Sequence, residues 1–402
     1  MSVNLFDANS YRAANPDLAG FNDAQAFSHF QSFGLNEGRV FSPFVDLNFY
    51  RSSNSDLGSF NNQQLFNHLQ NNGVAEGRRF SQFVDLNFYR NANGDLTTLN
   101  NEQIFQHLRN NGVTEGRRFS PFVDLNFYRA QGGNTDLASL SNRQALEHLE
   151  ISGIDENRLF SSFVNLYTYA SVNPDLRSLN NRQRFEHLQI SGVNEGRKFD
   201  DIVDLNVYLS ANSDVAQVFG GNREQALQHL ELNGLNERRT FSPFFDLNYY
   251  SSNNPDLTGL SGSQLLTHFE LNGVFEGRAG RSDRAGNTLA TALNIPVSST
   301  PNYAIDSVGP GDPDDYYQFV LNQTSLVPIG FTSTPNNVRV ELLNSGGQVL
   351  QSRNTTVVTP ATNNVIPVES VERFVLGAGT YFLHFKQLAG NSNLAFAIRT
   401  YP

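Results

Sequence analysis

Three aspartates within four residues, Asp312, Asp314 and Asp315, are the side chains of this sequence whose types and spacing point most directly to chemistry. Carboxylates so close repel one another unless water or a cation neutralises them. A hard cation such as calcium takes six to eight oxygens, several of them from the carboxylates of one short loop. Calcium is therefore the one cofactor the sequence suggests, although the same residues also read as a solvated acidic turn. Seven histidines form the other conspicuous set, His29, His68, His107, His148, His187, His229 and His268, in steps of 39, 39, 41, 39, 42 and 39 residues. Units stacked at the usual helix spacing of ~10 Å hold their imidazoles too far apart to share an ion. These histidines are read as structural, placed where a helix dipole favours positive charge. Asp17, Asp56 and Asp256, each with an asparagine two residues earlier, offer too few oxygens for calcium and are read as turn caps. Glu76 and Arg78, with their equivalents, are expected to pair between repeats. His384 has no evident partner. No Ser-His-Asp order, His-Glu-x-x-His, phosphate loop or Gly-x-Gly-x-x-Gly element is present, so the chain is read as not an enzyme.

The elements that must position these residues come from a repeat of about 39 residues, seven copies of which fill most of the first 280 positions. Such a period marks a stacked array of units that borrow their core from one another. The copies lie near 6–43, 44–82, 83–121, 122–162, 163–202, 203–244 and 245–280. Asp7, Asp46, Asp85, Asp124, Asn165, Asp204 and Asp246 are expected to cap a short first helix. An apolar residue before each cap and a tyrosine four after it make a hydrophobic staple. Asn-x-Asp-Leu turns follow. A second helix of about 11 residues then opens with a capping box, Asn61 and Gln64 in copy two, and is expected to end at Gly73 as a left-handed C′ residue. Extra residues at Gly132-Gly133 and Gly220-Gly221 are placed outside the helices. The rows of Tyr and Phe are read as core, with sugar stacking as the alternative.

After Arg278 the character changes. Val338, Val340 and Leu342 alternate, Asn344-Ser345-Gly346-Gly347 signals a turn, and alternation returns at Tyr381, Leu383, Phe385 and at Leu394, Phe396, Ile398. The expected fold class is multidomain α + β: an N-terminal α-solenoid of seven helix-turn-helix repeats over 1–280 and a C-terminal antiparallel β-sandwich over 281–402.

The chain holds 28 basic and 39 acidic residues, a net charge of −11, which argues against nucleic acid or an anionic membrane as partner. Cysteine is absent, so neither disulfide nor thiolate metal site can form. No run approaches the ~20 apolar residues of a membrane span. The segment Met1-Ser2-Val3-Asn4-Leu5-Phe6-Asp7 lacks the pattern of a cleavable signal.

Two resemblances extend this reading. The repeat, with Phe-Asp, Tyr, Asn-Pro-Asp-Leu, His and Glu-Gly-Arg in order, resembles one found in large secreted or surface proteins of cyanobacteria and proteobacteria. Copies four and six depart from it, with Glu156-Asn157-Arg158 and Glu237-Arg238-Arg239. Residues 283–402 look like the bacterial pre-peptidase C-terminal domain, through Asp283-Arg284-Ala285-Gly286-Asn287-Thr288, Asp312-Pro313-Asp314-Asp315-Tyr316-Tyr317-Gln318-Phe319 and Gly377-Ala378-Gly379-Thr380-Tyr381-Phe382. That resemblance implies a small sandwich that accompanies extracellular proteins in secretion, attachment or calcium binding. The combined expectation is an extracellular or cell-surface structural protein, exported without a cleavable N-terminal signal. It would assemble head to tail into a filament, sheath or lattice through an apolar leading face at Phe6 and Tyr11. The alternatives are a module binding cell-surface polysaccharide or protein, and an accessory subunit of a secreted hydrolase.

Overall fold

The computed structural model describes residues 3–130, 134–299, 301–355, 357 and 370–401. The expected insertion at Gly132-Gly133 lies outside the described residues. By its internal contacts the chain divides into two units, Met1–Asp200 with Phe219–Leu232, and Asp201–Val218 with Asn233–Pro402. This division falls inside copy six, whereas helices give way to strands near residue 280.

Each copy is built from local signals. In copy two the first helix, Leu47–Ser53, opens on Asp46, whose carboxylate accepts from the amides of Asn48 and Phe49. The same cap forms at Asp7, Asp85, Asn165, Asp204 and Asp246. The staple is visible in the ring contacts Phe6–Tyr11 at 5.4 Å and Phe245–Tyr250 at 5.2 Å. The helix stops at Asn54, whose Nδ2 donates both to the Tyr50 carbonyl at 2.7 Å and to the Arg79 carbonyl of the outgoing connector at 2.9 Å. One side chain thus ends the helix and pins the connector across it. After a single 3₁₀ turn, Ser55–Leu57, the second helix Asn62–His68 starts with the reciprocal Asn61/Gln64 box. In copy six Asn222 still accepts from the Gln225 amide, but its own amide turns to the Phe219 carbonyl. There Gly220 and Gly221, both at positive φ, carry the inserted turn.

The end of the second helix differs from expectation. Gly73 is not left-handed. The helix passes from α into a π-helical turn, Leu69–Gly73, and the Val74 amide reaches back five residues to the Leu69 carbonyl at 3.1 Å. Leu69 and Val74 are both buried, as the apolar pattern required, but a π turn brings them together rather than a C′ contact. The left-handed residue comes four positions later: Gly38, Gly77, Gly116 and Gly277 at φ 70°, with Gly196 at 71°. Asn157 at φ 58° and Arg238 at 55° hold that place in copies four and six.

In the first unit the copies touch beyond their neighbours. Asp7 of copy one pairs with Arg143 of copy four at 2.7 Å, and Ser10 donates to Glu147 at 2.8 Å. Arg79 of copy two donates to the Gln189 carbonyl of copy five at 3.1 Å, while Gln189 Nε2 returns a bond to the Gln82 carbonyl at 2.9 Å. Arg118 of copy three pairs with the buried Glu231 of copy six. The offset is three copies each time, so successive turns of the coil are in contact. An array that contacts only nearest neighbours is not what forms.

The strands are β1 Leu293–Asn294, β2 Asn302–Val308, β3 Asp314–Leu321, β4 Ser325–Thr334, β5 Val338–Asn344, β6 Val349–Asn354, β7 Ser370–Leu376, β8 Gly379–Gln387 and β9 Ser392–Ile398. They form two sheets, ordered β1-β3-β8-β5-β6 and β2-β9-β4-β7. All pairings are antiparallel except the short β1–β3 contact. Tyr317, Phe319, Val327, Ile329, Val340, Phe385, Phe396 and Ile398 fill the space between them. Each such side chain contributes roughly 1.5–3 kcal/mol through burial. The expected strands at 338–342, 381–385 and 394–398 are present. So is β3, which contains Asp314 and Asp315 where a turn was expected.

Candidate cation site and the repeat-borne side chains

Strand β3 separates the acidic residues by simple alternation. Residues 315, 317 and 319 face the core and are buried, while 314 and 316 face outward. Asp314 therefore leaves the cluster. It meets His384 Nε2 at 2.7 Å, His384 Nδ1 meets Glu341 at 3.1 Å, and the imidazole stacks on Tyr316 at 4.1 Å. The expected ligand set Asp312, Asp314, Asp315 is corrected accordingly, and His384 is a partnered residue of the outer sheet face.

What joins Asp312 and Asp315 is Asp283, from the segment that leaves copy seven. Carboxylate oxygens of these three residues lie within 4.8 Å of one another. The Gly309–Asp312 bridge holds one edge, with the Gly309 amide donating to the Asp312 carbonyl at 2.8 Å. Asp283 accepts from the Ala285 amide at 2.8 Å, and Asn287 bonds the Asp312 carboxylate. Asp315 is 0% exposed, and neither of its oxygens has a hydrogen-bond partner. Burial, then repulsion from Asp306, Asp312 and Asp283, pushes its carboxyl up to about 10. Asp306, which accepts from the Tyr317 hydroxyl, is raised to about 6, chiefly by burial. A buried carboxyl without partners costs a few kcal/mol, and an oxygen-only donor set suits a hard cation. The residues present fit calcium. Asp283 was legible as an acid near copy seven, but nothing in one strand's pattern tells that it returns to Asp312 some 30 positions later.

The repeat residues cluster differently. In copy two the Tyr50 hydroxyl meets His68 Nδ1 at 2.7 Å and lies against Gly73, where a Cβ would stand 2.1 Å from that hydroxyl. The Tyr–His contact recurs at 2.7–2.9 Å in copies one, three, four, five and seven. Burial pushes the His268 imidazole down, which suits a neutral ring accepting the phenol proton. The histidines stand in the last α-helical turn, as expected, and there hold a tyrosine of the same unit. Arg78 joins Glu76 at 2.5 Å and Asp56 at 2.7 Å inside one copy, and all seven arginines at this place do likewise. These pairs close a repeat on itself, which corrects the expectation of bridges between repeats. With their carboxylates in solvent, these pairs add little to stability.

Phe6 is 7% exposed and Tyr11 0%, so neither ring offers an outer face. The apolar face expected to be open at the leading copy is covered by the chain's own start: Val3 bonds Gln70, and Arg109 donates to the carbonyls of Asn4 and Phe6. Among the described residues no helix is long and apolar enough to cross a membrane.

No protein-family profile matches the chain, and no curated protein does. Solved structures with partial likeness include the pre-peptidase C-terminal domain of collagenase from Bacillus anthracis, 13% identical over 26% of this chain and 92% of that one, with a TM-score of 0.22. Another is the PliG lysozyme inhibitor of Aeromonas hydrophila, 12% identical over 26% and 96%, TM-score 0.18. A third is the carbohydrate-binding module CBM36 in complex with calcium and xylotriose, 14% identical over 24% and 78%, TM-score 0.17. Scores this low carry no argument about function.

Proposed function

We propose that this chain is a non-catalytic structural and binding protein of the cell exterior whose β-sandwich is completed by a calcium ion. The observation that carries this reading is Asp315: a wholly buried carboxyl with two partnerless oxygens, facing Asp283 and Asp312. Asp283, Asp312 and Asp315 would hold the ion, with Asn287 beside them. The ion would neutralise carboxylates that otherwise repel across the gap between β3 and the copy-seven exit. Extracellular calcium modules work at Kd of about 10⁻⁴–10⁻³ M, the range in which this site would act.

The test is calorimetric calcium titration of the full chain, with melting midpoints in calcium and in EDTA. Calcium is expected to bind the wild type and raise its midpoint, and Asp315→Asn to abolish both effects. The same variant in EDTA should melt higher than wild type, because it removes an uncompensated buried acid. Identical wild-type midpoints in calcium and EDTA, with no heat of binding at millimolar calcium, overturn the reading.

A second reading, self-association into a filament or lattice, is favoured by other residues than Phe6 and Tyr11. Phe27 is 42% exposed and Phe33 58%. The counterparts of Phe27, such as Phe66 and Phe105, are buried against the preceding copy, Phe66 lying 5.3 Å from Phe30. Phe33 stands where the other copies carry Asn72, Asn111, Ser152, Ser191, Asn233 and Asn272. In this reading the two rings meet a second copy of the chain.

A further inference from the structure

Beside the three carboxylates lies a cavity of ≈ 290 Å³, whose lining includes Tyr249, Asn253, Arg281, Asp283, Asp312 and Asn391. We propose that it receives one sugar residue of a neutral glycan, whose vicinal hydroxyls complete the coordination of the cation and whose ring lies against Tyr249. The inference rests on the cation reading above and names what that site would recognise.

Geometry gives the first argument. Asp283 and Asp312 line the cavity, whereas Asp315 does not and is wholly buried. A cation among the three would have Asp315 on its inner side and the cavity on its outer side. Three carboxylates supply between three and six oxygens, and calcium takes six to eight, so the outer positions are open to hydroxyls entering from the cavity. At this volume, near the lower end of ligand pockets, the space suits a single ring rather than a long chain.

Charge gives the second. Three carboxylates stand against a divalent cation and the Arg281 guanidinium, while Arg278, which also lines the cavity, is already paired with Asp256 and Glu276, so the loaded site carries no net positive charge. A phosphate or polyanion would have to shed its hydration with no net positive charge to offset it, while a neutral polyol meets the cation and hydrogen-bonding groups without that cost. Arg281 is held through one Nη1 bond to the Pro243 carbonyl, and its buried Nε has no partner. Asn253 and Asn391 add amide donors and acceptors.

Comparison among the copies gives the third. Tyr249 stands where the other six carry Ser10, Phe49, Phe88, Phe127, Thr168 and Val207, and Asn253 where copies one, two, three, five and six carry Ala14, Ser53, Ala92, Val172 and Ala211. Phe49 and Phe88 are fully buried, whereas Tyr249 is half-buried and faces the cavity. Copy seven departs from the repeat where the cavity needs an amphipathic ring and an amide. An aromatic ring with a polar tip is suited to a surface that is apolar on one face and hydroxylated at its edge.

The experiment titrates the full chain calorimetrically with calcium, then with a panel of neutral di- and trisaccharides bearing cis and trans vicinal diols, in calcium and in EDTA. Trigalacturonate serves as the anionic arm. At least one neutral sugar is expected to bind in calcium and not in EDTA. Tyr249→Ala should weaken that binding about tenfold, in line with an aromatic contact of ~1 kcal/mol or slightly more, and leave calcium affinity unchanged. Calcium binding with no response to any neutral sugar overturns this inference alone, and no calcium binding overturns both readings. Binding that is equal in EDTA, that belongs to trigalacturonate only, or that is indifferent to Tyr249→Ala also overturns the inference.

Discussion

A methyl group at Gly73 would stand 2.1 Å from the Tyr50 hydroxyl, and the same collision recurs at 1.9–2.1 Å at Gly34, Gly112, Gly153, Gly192 and Gly273. This explains why the glycine is unvarying across the copies while the left-handed glycine is not. A steric overlap with a buried phenol admits no side chain. A positive φ admits Asn157 and Arg238 for roughly 1–2 kcal/mol. The spacing announced a glycine at each of these places but could not tell which one was needed for φ, because the phenol arrives from the first helix. Gly73→Ala is expected to destabilise by about 1–3 kcal/mol through overpacking. Tyr50→Phe should cost about 1 kcal/mol through the lost bond to His68. Because removing the hydroxyl makes room for the methyl, the double variant should cost clearly less than the two single effects together. Denaturant midpoints of the four proteins measure this, and strict additivity would separate the glycine from the phenol.

At the scale of the element, β3 decides what its aspartates do. Two neighbouring acids on a strand point to opposite faces, so Asp314 serves the His384 cluster and Asp315 is forced inward. The consequence is a stability that depends on pH. The folded pKa values of Asp306 and Asp315 are raised, to about 6 and about 10, above the ordinary 3.8. Below that ordinary value both groups are neutral whether the chain is folded or not, and the stability they allow is fully present. As pH rises the unfolded chain ionises them freely and the folded chain resists. Stability is therefore lost through pH 6 for Asp306 and onward toward pH 10 for Asp315. In EDTA the melting midpoint is expected to fall between pH 5 and pH 8. Calcium should flatten that fall, and Asp315→Asn should make it shallower without calcium. Scanning calorimetry across the series reads the slope, and a midpoint in EDTA that rises with pH would contradict the sign.

At the scale of the molecule, the coil of the first unit closes against itself. Residues two positions after four of the histidines meet chain from earlier copies: Gln70 and Arg109 meet residues 3–6, Gln189 meets copy two, and Glu231 meets Arg118. In the first copy Phe27 and Phe33 form an exposed aromatic surface. If this surface pairs two chains, the wild type should show a concentration-dependent mass in light scattering, and Phe27→Ser with Phe33→Ser should be monomeric at every concentration. Equal masses for both at high concentration would remove the association reading.

The amino-acid order alone determined whatever depends on residues a few positions apart. The Asp caps, the Asn/Gln boxes outside copy six and the helix-turn-helix unit are closed by contacts within one repeat, and they stood where their patterns placed them. The late strands were marked by alternation, although their partners lie far along the chain, Val340 opposite Phe385 and Ala304 opposite Phe396. Tertiary structure decided the rest. The arrival of Tyr50 at Gly73 is set by the packing of two helices within a copy, and the return of Asp283 to Asp312 by the chain's path into the sandwich. The offset of three copies between touching turns and the covering of Phe6 depend on angles summed over several units. A small rotation per repeat accumulates into which distant surfaces meet, and no single residue's type records that sum.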